Sequence, residues 1–206
     1  MKNVNKFPFV LFVDRCTETS LWISRKMKIV GCPVKLSEEI PHTSVKGKFD
    51  PVTGITIYMR NIYKANVSRE MNMFSFTKTM IHEYIHFLEG TIDRLTCDSI
   101  SIAIAEIDCN LKVCKVLNSF KPADWLLHVG IDSEKAIDLA DQFTFACLVN
   151  AYNYNRRYKT KYGLTISKEV NDAIDTLKKS VDLLSVNFLR NSSIKLTGNS
   201  KSIKSL

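Results

Sequence analysis

Apolar residues recur along this chain at two spacings, one helical and one strand-like. Over residues 17–30, Leu21, Trp22, Met27 and Val30 fall at roughly helical intervals, with Thr17 as an opening cap and Gly31 and Pro33 as stops. The preceding run, 7–13, is apolar throughout and reads as an N-terminal strand or a short internal targeting element. It is too short to span a bilayer and too poorly flanked for a secretory signal. Residues 35–44 are polar, contain Pro41 and predict a loop. The pentapeptide DPVTG at 50–54 is a turn signal between alternating flanks, which predicts a hairpin whose second strand covers 55–60. That strand is either an edge to which an extended peptide adds or an ordinary core strand.

Helical spacing returns with Phe74, Met80, Ile81, Ile85 and Leu88, opened by Ser68 or Asn72 and closed by Gly90. A helix over 98–117 follows, with Asp98 as its cap. Its first half is apolar on most sides (Ile100, Ile102, Ala103, Ile104, Ala105, Ile107), which predicts burial. Pro122 breaks the chain, and helices are predicted over 133–152 and 167–189. Residues 191–206 are polar and basic and read as a disordered tail.

The second of these helical segments carries the chemistry. In TMIHEYIHFLEG (79–90), His82 and His86 stand four apart with Glu83 directly after the first. On a helix their Cβ atoms lie about 5–6 Å apart, close enough for both imidazoles to meet one Zn²⁺ at about 2.0–2.1 Å. Glu83 lies about 100° round the helix and reaches a water activated by the metal rather than the metal itself. That is the arrangement peptide hydrolysis requires, with Glu83 as general base and then general acid. The bland alternative is two surface histidines on an amphipathic helix.

A catalytic zinc needs a third protein ligand. Glu89 is on the same helix, about 10.5 Å of rise beyond His82, and is disfavoured. Glu106, an acid within the apolar run of the next helix, needs a buried partner that zinc would supply. Asp93, just past Gly90, is the alternative. His42 and His128 complete the four histidines and read as ordinary core or surface residues; a transition-state donor role for His128 is the sharper alternative. Tyr152, Tyr154 and Tyr158, among Arg156 and Arg157, read as a solvated helix end or, alternatively, a docking face.

Charge and cysteine content narrow the partners. The net charge is +8, three units of it from lysines of the 191–206 tail. This serves solubility, or attraction to an anionic membrane face or acidic partners. Zinc-finger spacing, arginine-rich runs and RNA-binding aromatic signatures are missing, which argues against nucleic acid. None of the six cysteines forms a Cys-x-x-Cys pair. Cys109 and Cys114, five apart on one helix, point in different directions, so any disulfide joins distant segments.

With these residues placed, the chain resembles the mitochondrial inner-membrane zinc metalloproteases that process an ATP synthase subunit, also described as Ku-binding proteins. KMKIVGCPV (26–34), GKFDPVTGITIYMRNI (47–62), TMIHEYIHFLEG, IAIAEIDCNL (102–111) and DSEKAIDLADQFTFAC (132–147) are similar to segments of that family in the family's order, over residues 16–158. The alignment puts Glu106 on the family's helix glutamate. This chain departs from the pattern in lacking the family's Cys-x-x-Cys before the hairpin, in carrying Lys48 for a glycine and Asp108 for an arginine, and in its C-terminal region. The resemblance implies a protein of the intermembrane space, peripherally attached to the inner membrane. It further implies cleavage of an ATP synthase membrane-subunit precursor and a separate role in assembling the membrane rotor.

The expectation is an α+β, zincin-like domain over 1–160, in which a small antiparallel sheet packs on the active-site helix and several helices follow. An additional helix lies within 161–190 and the tail within 191–206. Its function is zinc-dependent peptide cleavage, with His82, His86 and Glu106 (or Asp93) as ligands and Glu83 as the acid–base group. Two rivals stand beside it: an assembly chaperone with a non-catalytic zinc site, and a regulatory peptidase of bacterial or phage type. An intact Glu83 favours cleavage, since a retired peptidase has no use for it.

Overall fold

Pro8 fixes where the first helix begins. Its backbone is extended (φ −62°, ψ 143°), and α1 runs from the next residue, Phe9–Lys26. Proline is pre-set for a position at a helix start, where no intrahelical donor is required. In the computed structural model, which describes residues 8–41, 44–90, 99–120 and 133–162 and a few single residues such as Asp124 and His128, α1 buries Phe12, Cys16, Thr19, Ser20 and Ile23. That stripe starts inside the apolar run 7–13, so residues 9–13 are helical and not a strand. A continuous apolar run carries no period of its own. Its continuity with Cys16 and Ile23 decides the matter.

Three short strands follow: β1 (Val34–Ser37), β2 (Gly47–Asp50) and β3 (Gly54–Tyr58), in the order β1-β3-β2. The β2–β3 hairpin is present, with Gly47 opposite Ile57 and Asp50 opposite Gly54. Its turn is held by Asp50 Oδ1, which accepts from the backbone N–H of Val52 and Thr53, both at 2.9 Å. Gly54 has φ +83°, and a Cβ there would lie 2.4 Å from the carbonyl oxygen of Pro33. A side chain at 54 would therefore push β1 away from β3. β1 pairs with β3 in parallel, Val34 opposite Ile55. The sheet is thus mixed, not purely antiparallel, and residues 35–37 are strand rather than loop. β3 is central, with both edges paired, and ends at Tyr58; Met59–Ile62 forms the short helix α2.

The helix α3 (Arg69–Glu89) is the spine of the core. The Ser68 side chain accepts from Met71 N–H as its N-cap, and Gly90 closes it in a left-handed conformation. Asn72 does not start the helix. Its buried amide ties the preceding loop down, donating to the Lys64 and Val67 carbonyls and accepting from Lys64 N–H. Met73, Phe76, Met80 and Ile81 of α3 are fully buried with Phe12, Ile23, Ile55 and Ile57 of α1 and β3. The helix contacts α1, β2 and β3, and also α4 (Ser99–Ser119).

Within α4, Ala103, Glu106, Ile107, Asn110, Val113 and Leu117 are buried, while Ile104 reaches solvent. Burial therefore covers one face rather than the whole apolar segment. α5 (Ser133–Tyr162) packs on α4 and extends ten residues past the expected stop at 152. Cys147, Leu148, Ala151 and Asn155 continue one buried stripe, with asparagine taking a position the apolar pattern does not mark. Cys114 and Cys147 are thiols with their sulfurs 3.6 Å apart across this contact. Of the helix expected over 167–189, the described residues 172, 175, 176, 178, 179 and 182 are helical, and the 191–206 tail lies outside the described residues. No helix among the described residues is long and apolar enough to cross a membrane.

Candidate metal and catalytic site

His82 and His86 project from the last turns of α3 toward α4, with their Nε2 atoms 3.0 Å apart. Glu106 meets them from α4: Oε2 is 3.1 Å from His82 Nε2, and Oε1 is 3.6 Å from His86 Nε2. Two ligands of a tetrahedral zinc, each bonded at about 2.05 Å, stand about 3.3 Å apart. The three separations bracket that value, so the donor set fits a small divalent cation without moving either helix.

Electrostatics binds the three groups together. Burial pushes the Glu106 carboxyl up, but hydrogen bonds to His82 and His86 and their charges more than offset this and hold it well below the usual carboxylate range. For His82, burial favours the neutral ring. The Glu106 hydrogen bond and the charges of Glu106 and Glu83 outweigh it, and the net shift is upward. His86 Nδ1 is buried and has no hydrogen-bond partner among the described residues.

Cys109, three residues past Glu106 on the same face of α4, also belongs here. His82, His86 and Cys109 present ligand atoms within 4.8 Å of one another and could hold a metal ion. The two donor sets use opposite sides of His82, because the Cys109 sulfur lies 3.3 Å from Nδ1 and 3.4 Å from the His82 carbonyl. The carboxylate set uses the Nε2 atoms that already converge, whereas the sulfur set needs Cys109 as a thiolate, a form that a bound metal would itself favour. Burial, then the negative charges of Glu106 and Glu83, push the Cys109 thiol far upward. As a thiol it donates to the His82 carbonyl and lies 3.3 Å from Nδ1, which holds the ring with Nε2 turned toward Glu106 and His86, where a metal would take the place of the Nε2 proton.

Glu83 is buried on the neighbouring face of α3 and packs against the edge strand. A Cβ on Gly47 would lie 2.8 Å from Glu83 Oε1 and 3.0 Å from its Cγ. The absence of a side chain at 47 is what lets β2 approach the carboxylate. A cavity of about 540 Å³ opens there, lined by Lys46, Gly47, Lys78, His82, Glu83 and Glu106 among others. His86 sits deeper. The sheet has two edge strands, β1 and β2, with 54–58 central, and of the two edges it is β2 that borders the cavity. No described strand pairs with its outer side, and residues 44–47 run along the cavity.

The remaining candidates fall elsewhere. Glu89 is ion-paired with Lys112 of α4 and does not line the cavity. His128 stacks on Trp22 of α1, ring centroids 5.3 Å apart at 12°, and does not line the cavity either. Asp93 and His42 lie outside the described residues. Tyr152 is half-buried against Leu148 and Ala151, and Arg156 and Arg157 are exposed; the side chains of Tyr154 and Tyr158 lie outside the described residues. Sequence reasoning missed Cys109, Gly47, Lys46 and Lys78. Lys78 is one turn before His82 and Cys109 one turn after Glu106, so helical spacing from the known positions could have found both. Comparison of the chain with known protein families, curated proteins and solved structures gives no match.

Proposed function

We propose that this protein is a zinc-dependent endopeptidase in which His82, His86 and Glu106 hold the metal and Glu83 carries the proton. The carrying observation is the convergence of two Nε2 atoms and one carboxylate at 3.0, 3.1 and 3.6 Å, with His82 and Glu106 on the wall of a cavity that Glu83 shares and His86 just behind it. His82, His86 and Glu106 would hold the ion, and the chemistry it would supply when bound is Lewis acidity toward the scissile carbonyl and a water of lowered pKa. An extended peptide pairs with the outer edge of β2, whose backbone groups supply the register. Glu83, kept in place by the bare backbone of Gly47, accepts a proton from the attacking water at its carboxylate and passes it to the leaving nitrogen. Cys109 and the buried surroundings fix the ring of His82 and keep its Nε2 aimed at the metal.

The ordered sequence segments support a narrower reading. In it the substrate is an ATP synthase membrane-subunit precursor, and the protein acts at the intermembrane-space face of the mitochondrial inner membrane as a peripheral component.

The test is the Glu83→Gln variant. It should keep one zinc per chain while peptide cleavage falls by at least about 100-fold, the low end of what a general base contributes. A variant that cuts like the wild type removes Glu83 from the chemistry. A variant that cuts nothing yet fully replaces the wild type in cells supports the assembly-chaperone alternative instead.

A further inference from the structure

Two ammonium groups stand at the cavity without acidic partners among the described residues. Lys46 immediately precedes Gly47 on the strand that touches Glu83, and its Nζ donates to Ser75 Oγ at 3.0 Å, a neutral partner. Lys78 lies on α3 one turn before His82 and is half-buried. Both line the cavity with His82 and Glu83. Neither forms an ion pair among the described residues, which is equally true of Lys28, Lys48, Lys64 and Lys115; what sets these two apart is that they are the lysines lining the cavity. They also feel each other, since partial burial and then the charges of Lys78 and Lys64 make Lys46 easier to deprotonate. A folded chain gains nothing by holding two like charges together at a cavity wall unless something of opposite charge joins them. The cavity's own acids do not serve: Glu106 is committed to the histidines, and a divalent ion offsets the charges of Glu83 and Glu106.

We propose that Lys46 and Lys78 form a carboxylate-binding subsite beside the scissile position, so that the preferred substrates are peptides with a carboxylate close to the cleaved bond. This rests on the peptidase reading of the same cavity. The spacing sets the position. One helical turn is about 5.4 Å of rise, and an extended peptide advances about 3.3 Å per residue. A carboxylate reaching Lys78 from a chain lying along β2 therefore belongs within about two residues of the bond at His82. An aspartate or glutamate side chain, or the chain's own C-terminal carboxylate, would satisfy the pair.

The experiment uses the zinc-loaded full chain and a set of fluorogenic peptides identical except at the two positions on either side of the cleaved bond. These carry Glu, Gln or Lys, each with a free or an amidated C-terminus. Glu peptides should show kcat/KM about 2–5-fold above Gln peptides, as expected for a screened charge pair, through KM, with the advantage shrinking as salt rises. In Lys78→Glu and Lys46→Glu the order reverses toward the Lys peptides, and Lys78→Arg keeps the wild-type order. If amidation alone removes the advantage, the carboxylate is that of the chain end. Equal kcat/KM for Glu, Gln and Lys peptides overturns the subsite while leaving the peptidase standing. Should no peptide be cut, fluorescence anisotropy on zinc-loaded Glu83→Gln decides separately. Tighter binding of Glu than Lys peptides, lost in the added Lys78→Glu change, supports the subsite; equal binding overturns it.

Discussion

His82 and His128 are two imidazoles packed against rings, and they sit in opposite electrostatic surroundings. His82 is met by His86 edge-on at 4.6 Å between centroids and by the Glu106 carboxylate at 3.1 Å. His128 lies flat on Trp22, with Lys26 over the same indole. The first environment offsets the loss of water with an acid and draws the ring toward its charged form. In the second, burial is the largest influence and, together with Arg15 and Arg25, leaves His128 more easily deprotonated than usual, even though an acid is present there too and the charge and backbone of Glu18 favour the protonated ring. Burial of a histidine therefore says little about metal binding. What distinguishes a site is the convergence of unshared nitrogens on an acid that has nowhere else to go.

The contrast breaks most sharply on ligand removal. His86→Ala should weaken zinc binding by more than the roughly 100-fold that loss of an outer partner costs, while His128→Ala leaves it unchanged in a competitive chelator titration. Equal losses from both would erase the distinction between the two regions. Next in size, Gly47→Ala should hold its zinc but lower kcat by about 100-fold, because displacing a catalytic group by about 1 Å costs that much. The new methyl has nowhere to go but into the Glu83 carboxylate. Unchanged turnover would mean that Glu83 needs no such seat.

The smallest effect is on proton affinity. In the metal-free chain, NMR titration of the imidazole C–H signals should place His82 above and His128 below the free value of about 6.5. The stability consequences carry opposite signs. The raised His82 contributes stability fully present below about pH 6.5 and lost as pH rises through its folded value. The lowered His128 contributes stability present above about pH 6.5 and lost as pH falls through its own. Depressed Glu106 adds stability present above about pH 4.3, lost on further acidification through its folded value. Zinc displaces the His82 proton, so loading reverses the alkaline loss.

Legibility in the sequence followed how local each feature is. His82, Glu83 and His86 were readable because one helix and fixed spacing bring them together. Glu106 was readable for a different reason: an acid inside an apolar run announces an unmet need. The hairpin was readable from Asp50 and Gly54. By contrast β1 was hidden, since Val34–Ser37 becomes a strand only through a parallel partner twenty-one residues away. The centrality of β3 was hidden for the same reason, and with it the identity of the edge that borders the cavity. Gly47 looks like any hairpin glycine until Glu83 is placed against it. The start of α1 at Phe9 turned on Phe12 belonging to the Cys16–Ile23 stripe, which an unbroken apolar run conceals.

X-ray absorption at the zinc edge of the purified, zinc-loaded protein tests the central claim most directly. The expected spectrum has a single shell of nitrogen and oxygen at about 2.0–2.1 Å with imidazole features and no sulfur. A sulfur shell at about 2.3 Å would transfer the third ligand from Glu106 to Cys109, and a chain that takes up no stoichiometric zinc would contradict the metal centre altogether.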